Sequence, residues 1–313
     1  MKTKEKRTSA KVEQSICEQV TNKLIAMMEQ GVNPWRKPWS HCTEDVAVSH
    51  TNGKPYSLLN QMLLGFRSGE YLTFNQVKKE GGKIKKGAKS EIVVFWQCGG
   101  LKTVKAPEGE EETEDEENTQ WVAWRNPVLK YYRVFHIDNT EGIKVKYPQK
   151  ELELITNINP IERAENTASN YCNRSGVTLI IQKSNSAFYR PSTDSVTVPL
   201  REQFSEISEF YSTLFHELTH STGHPTRLNR LSGGIHKASE KYSREELVAE
   251  IGAAACLSKL GIEHKDTEEN SAAYLKSWAR FLSSDPRAFI VAAGKAEKAV
   301  NMIFGDQKLI NVN

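Results

Sequence analysis

Apolar residues recur at three- and four-residue steps through Val12, Ile16, Val20, Leu24 and Met27 or Met28, and Gly31 follows them. That period predicts an amphipathic helix over residues 9–30, closed by a glycine. "NPWRKPWSHC" comes next, a proline-punctuated loop with two tryptophans and two cations. A second helix is expected around Leu58–Phe66, and a short one within "YLTFNQVKKE" ahead of a Gly-Gly turn. Apolar runs at Ile92–Trp96 and Val128–Ile137 read as strands. Further on, "IERAENTASNYCNRSG" is helical in pattern and "VTLIIQ" strand-like. "SAFYRPSTDSVTVPL" predicts a hairpin, Ala187–Tyr189 with Ser195–Val198, around a Pro-Ser-Thr-Asp turn. From Phe204 the period turns helical again: Ile207, Phe210 or Tyr211, Leu214 and Leu218 share a face, and Gly223 and Pro225 stop it. A long helix fits Ser243–Leu260, and two more fit within 270–304. The expected fold class is α+β in two domains, residues 1–150 and 151–313, the second mostly helical with a small sheet.

Composition narrows the class. No run of eighteen apolar residues exists, so no membrane-spanning helix or membrane partner is expected. The N-terminus is basic but lacks an apolar stretch behind it, unlike a secretory signal. The five cysteines, at 17, 42, 98, 172 and 256, form no C-x-x-C pair. They suit reduced thiols in a cytoplasmic protein and exclude a cysteine zinc site, leaving histidine as the metal ligand to look for. The net charge of +3 hides an uneven distribution. Residues 1–107 hold eighteen lysines and arginines against nine acids, whereas Glu108 to Glu117 carries eight acids and no cation. The acidic run, 108–118 with its flank, reads as a solvated loop between two strands. The basic half suits a polyanion partner, although a merely soluble surface carries the same charge.

Candidate chemistry centres on "HELTH". On a helix, His216 and His220 stand one turn apart on one face and can share an ion, with Glu217 beside them as a general base. The three letters arise by chance in roughly one such chain in a hundred, so context carries the reading. The motif ends an amphipathic helix, and "DSVTVPL" ahead of it supplies an expected edge strand for an extended peptide. A third ligand is expected from "SREELVAEIGAAACLSKL", where Glu246 and Glu250 stack at i, i+4 ahead of small residues that let helices approach closely. The spacing resembles the gluzincin arrangement, which implies that Glu246 ligates and Glu250 orients. An alignment of "EIGAAACL" with ImmA/IrrE-type peptidases implies Glu250 instead. His224, beyond Gly223 and beside Pro225, reads as a neighbour. The expected cofactor is Zn²⁺ or another divalent metal.

In the first half, Trp35 and Trp39 flank Arg36 and Lys37, with Lys54 and Tyr56 following. Aromatic faces for bases and cations for phosphates suit single-stranded DNA. The same loop also suits a core plug.

The two halves together resemble the ArdC-type antirestriction proteins of conjugative plasmids and related mobile elements. The resemblance runs through "GVNPWRKPW", "NGKPYSLLN", "YLTFNQVKKEGGKIKKGAKSEIVVFW", "YYRVFHIDNTEGI", "AFYRPSTDSVTVP", "YSTLFHELTHSTGHPTRLNR" and "YSREELVAEIGAA". It implies an N-terminal single-stranded-DNA-binding domain, a zincin-like metallopeptidase domain and protection of element DNA from host restriction. A host restriction or regulatory protein is the implied peptide substrate. Two alternatives stay open on sequence: a DNA-coating protein with a non-proteolytic metal site, and a regulatory metallopeptidase that cleaves a repressor.

Overall fold

The structure, a computed structural model, describes residues 2–36, 46–103, 119–148, 159–232, 240–263 and 272–305. The acidic run, Lys37, Trp39 and Cys42 lie outside the described residues. The first helix, α1 (Lys2–Glu29), ends where Gly31 takes a φ of +78°, a left-handed turn that glycine enters without steric cost. A four-stranded sheet follows, in the order β1 (Ala47–Ser49), β2 (Gly69–Thr73), β5 (Thr119–His136), β4 (Glu91–Thr103). The two apolar runs at Ile92–Trp96 and Val128–Ile137 are the inner parts of one long antiparallel ribbon, β4 on β5, with a bulge between Gln97 and Gly99. Strand β2 runs antiparallel to β5 and parallel to β1. The short helices α2 (Leu58–Leu63) and α3 (Phe74–Lys79) border this sheet, and a capping box between Thr73 and Gln76 starts α3. β4 is an edge strand, and the Asn60 side chain bonds both the N–H and the C=O of Val94 on that edge. A small ladder of β3 (Lys83–Ile84) and β6 (Thr140–Glu141) closes the first half.

In the second half α4 (Pro160–Ser175) precedes a three-stranded sheet of order β7 (Thr178–Gln182), β9 (Ser195–Pro199), β8 (Phe188–Arg190). The expected hairpin forms, with Phe188 opposite Thr197 and Arg190 opposite Ser195. One expectation needs correcting: "DSVTVPL" is the central strand. β9 pairs with β7 on one side and β8 on the other, and every one of its positions is buried, so β8 forms the edge on the hairpin side. The helices α5 (Ile207–Ser221), α6 (Glu240–Leu260), α7 (Ala272–Ser284) and α8 (Ala288–Phe304) complete the fold, which is α+β in two domains.

The largest core joins both halves. Ile16, Val20 and Leu24 of α1 pack with Val94, Leu129, Leu247, Ile251, Leu282 and Phe289. Thr21 donates to the Pro286 carbonyl at 2.8 Å, and Glu297 of α8 accepts the N–H of Leu58 at the start of α2. Burial raises the Glu297 carboxyl above its ordinary range even though that N–H favours its charged form. A second core, including Val196, Val198, Phe210, Phe215, Leu218 and Leu257, supports α5 from below.

Candidate metal centre

Helix α5 carries its apolar stripe through Phe210, Leu214, Phe215 and Leu218, which leaves His216 and His220 together on the opposite rim. Helix α6 packs across α5. Gly252 makes that crossing close: a Cβ there would meet Thr219 Cγ2 at 2.6 Å and Oγ1 at 2.7 Å. The approach brings three acids of α6 to the two imidazoles. The Nε2 atoms of His216 and His220 lie 3.1 Å apart. Glu246 reaches both, at 3.4 Å from His216 Nε2 and 3.5 Å from His220 Nε2. One ligand atom from each of these three side chains falls within 4.8 Å of the others. Glu250 sits elsewhere, 3.8 Å from His216 Nδ1.

A fifth residue was not anticipated from sequence. Glu245, buried, stands 3.3 Å from His220 Nδ1. Arg230 forks onto it, with Nε at 3.1 Å from Oε2 and Nη2 at 2.8 Å from Oε1. The same guanidinium bonds the Thr219 carbonyl and the Thr222 hydroxyl, both at 2.8 Å. Its signal in the sequence was the doubled "EE", of which only the second member stacks with Glu250. His224 turns to the Thr226 hydroxyl at 2.8 Å, outside the cluster.

The electrostatics favour positive charge. Burial drives both imidazoles toward neutrality, yet the carboxylates outweigh it: Glu246 keeps His216 above its ordinary value, and Glu245 and Glu246 lift His220 to about 10. Burial likewise opposes ionisation of Glu246, but hydrogen bonds from the two histidines hold its carboxyl far below the usual range. A divalent ion, which displaces protons from such donors, supplies positive charge of this kind when bound. Two imidazole nitrogens and a carboxylate, each imidazole backed at Nδ1 by another acid, fit a mononuclear zinc-type donor set. The cluster forms one wall of a cleft of about 490 Å³ shared with Glu217, Phe188, Tyr189 and Tyr242. Burial pushes the Tyr242 phenol up to about 12, and the charges of Glu246 and Glu217 add to it, so this wall presents a protonated hydroxyl.

Residues 14–135 match the family model described as the N-terminal domain of anti-restriction factor ArdC, and residues 166–295 match that of a zincin-like metallopeptidase. The crystal structure of the antirestriction ArdC protein from the R388 plasmid, with Mn(II) bound, is 30% identical with a TM-score of 0.64. The similarity covers 94% of this chain and 98% of that one. The chain belongs to the ArdC antirestriction family. The metal-free structure of the same R388 protein gives a TM-score of 0.62 at 29% identity, over 92% and 96% of the two chains. Two Escherichia coli proteins named DNA primase TraC are 33% and 32% identical over 90% and 96% of this chain. The chain spans only 19% and 28% of their lengths. The uncharacterized protein y4eC of Sinorhizobium fredii (strain NBRC 101917 / NGR234) is 29% identical over 93% of this chain and 92% of its own.

In this ArdC-family fold the N-terminal candidates separate. Trp35 is 1% exposed, its ring 5.9 Å edge-on from Trp278 and 5.8 Å from Phe289. That packing corrects the expectation of base stacking at Trp35, because both neighbours occupy the surfaces a base would need. Tyr56 is half-buried against the cluster of Ala47 and Val134, edge-on to Tyr71, and burial pushes its phenol up to about 12. Arg36 is partly exposed and Lys54 exposed. Among the described residues no helix is long and apolar enough to cross a membrane.

Proposed function

We propose that this chain is a cytoplasmic antirestriction protein that binds single-stranded DNA through residues 1–150 and works as a metallopeptidase through residues 151–313. His216, His220 and Glu246 hold a divalent ion, Zn²⁺ in the cell, while Glu250 and Glu245 orient the two imidazoles. The convergence of both Nε2 atoms on the Glu246 carboxylate carries this reading. When bound, the ion supplies Lewis acidity, which makes water acidic near neutral pH and polarises a carbonyl. Glu217 takes a proton from the attacking water at a carboxylate oxygen and later returns it to the leaving amine. The edge strand β8 accepts an extended segment of a host restriction or regulatory protein along the cleft. Tyr242, protonated, donates its hydroxyl within the same cleft.

The test compares the wild type with Glu217→Gln and His216→Ala. The wild type is expected to purify with about one divalent ion per chain and His216→Ala with almost none. Glu217→Gln is expected to keep metal and DNA binding and to lose protection of incoming DNA from restriction in cells. Full protection by Glu217→Gln would refute peptidase action as the basis of antirestriction, and a metal-free wild type would refute the site.

A further inference from the structure

The outer part of the β4–β5 ribbon carries two aromatic rings that remain exposed. Phe95 is 37% exposed and Tyr132 52%. Strand alternation puts both on one face with Lys130, the cross-strand partner of Phe95, because Tyr132 lies two residues along from Lys130. The two rings lie parallel within 4°, centroids 5.1 Å apart, an offset stack that a further flat ring can extend. Farther in, the same face closes over Val93 and Val134, which are buried against Ala47 and Tyr71. The opposite face is the one that enters the shared core through Val94 and Leu129. The Phe95 face is therefore an aromatic shelf at the margin of a rigid sheet.

The described part of this face carries a cation beside the rings. Lys130 is exposed beside the rings, and the acid nearest along that face of β4, Glu91, is already paired with Lys23. Parallel rings on a sheet with a cation alongside suit unstacked bases joined by phosphates, since every base has a π-face and every linkage a negative charge. A duplex hides those faces. We infer that Phe95 and Tyr132 form the base-stacking platform for single-stranded DNA, with Lys130 contacting the backbone. This rests on the single-strand reading above, and it places stacking on the sheet in place of the buried Trp35.

The experiment is fluorescence anisotropy of a labelled oligo-dT of about 20 nucleotides with the full chain, titrated across a salt series. Phe95→Ala/Tyr132→Ala is expected to bind at least about tenfold more weakly than wild type. Phe95→Leu/Tyr132→Leu, which keeps apolar bulk and guards against a folding defect, should lose binding to a similar degree with a wild-type melting temperature. Lys130→Gln should lower the slope of log affinity against log salt by about one. Wild-type affinity in the folded leucine variant would overturn the platform while leaving single-strand binding intact. A wild type that does not bind oligo-dT would overturn both. Should the leucine variant change only the oligomeric state, the shelf is a contact between copies of the chain and the inference fails.

Discussion

Replacing Trp35 by alanine separates a core residue from a DNA contact, the two roles its loop could serve. The side chain is closed off from solvent and wedged between Trp278 and Phe289, in the core where α1 meets the C-terminal helices. Tryptophan-to-alanine changes in cores cost about 3–5 kcal/mol. Two aromatic contacts, worth about 0.5–1.5 kcal/mol each beyond area, push the value toward the upper end. The indole Nε1 has no hydrogen-bond partner among the described residues, so the cost is packing alone. An unfolding entropy of about 2.1 cal/mol/K per residue translates each kcal/mol into about 1.5 °C for a chain of this length, a fall of roughly 5–8 °C in Tm. Trp35→Phe, which keeps a ring and sacrifices no bonded donor, should cost less than the alanine change because the cavity left is smaller. Calorimetry measures the melting, and anisotropy with oligo-dT, run well below the variant's Tm, measures binding. Near wild-type affinity is expected. A variant that melts like the wild type but loses the oligonucleotide would refute the burial argument and return Trp35 to the DNA surface.

Two further outcomes follow from groups around the metal centre. Glu245→Gln keeps the shape of the His220 partner and removes its charge, so divalent-metal affinity, measured by competition with a chelating dye, should fall about 10–100-fold; unchanged affinity would show that Arg230 and Glu245 serve folding only. Hydrogen bonds from Arg227 hold the Asp194 carboxyl below its ordinary value, so its contribution is present above the unfolded carboxylate pKa and is lost as pH falls through the folded one. Urea unfolding of wild type against Asp194→Asn should show a stability gap that is constant above about pH 5 and narrows below about pH 4; a gap that widens in acid would refute the assignment.

The readable parts of the chain are those set by near neighbours. The Ile16, Val20, Leu24 stripe, the hairpin around Pro191–Asp194 and the pairing of His216 with His220 each depend on a helical or strand period and a turn, and all of them appear in the structure. The short strands β1 and β2 escaped notice because three to five residues carry too little period, and their pairing is with each other and with β5 far along the chain. Glu245 escaped for a related reason: the i, i+4 rule selects the face of α6 holding Glu246 and Glu250, while Glu245 meets His220 only because of the angle at which α6 crosses α5.

By itself, then, the order of residues determined that α5 would present two imidazoles and a carboxylate, since a helix repeats every 3.6 residues whatever surrounds it. It also determined that α6 would offer a pair of acids one turn apart. Which acid reaches the Nε2 atoms was decided by the packing of α6 on α5, close enough at Gly252 that a Cβ there would collide with Thr219. The fate of Trp35 was decided in the same way, by Trp278 and Phe289 packing against it, whereas Phe95 and Tyr132 keep exposed surface. Local periodicity chooses the face a side chain occupies, and only distant segments packing against that face choose whether it is a wall, a ligand or a surface.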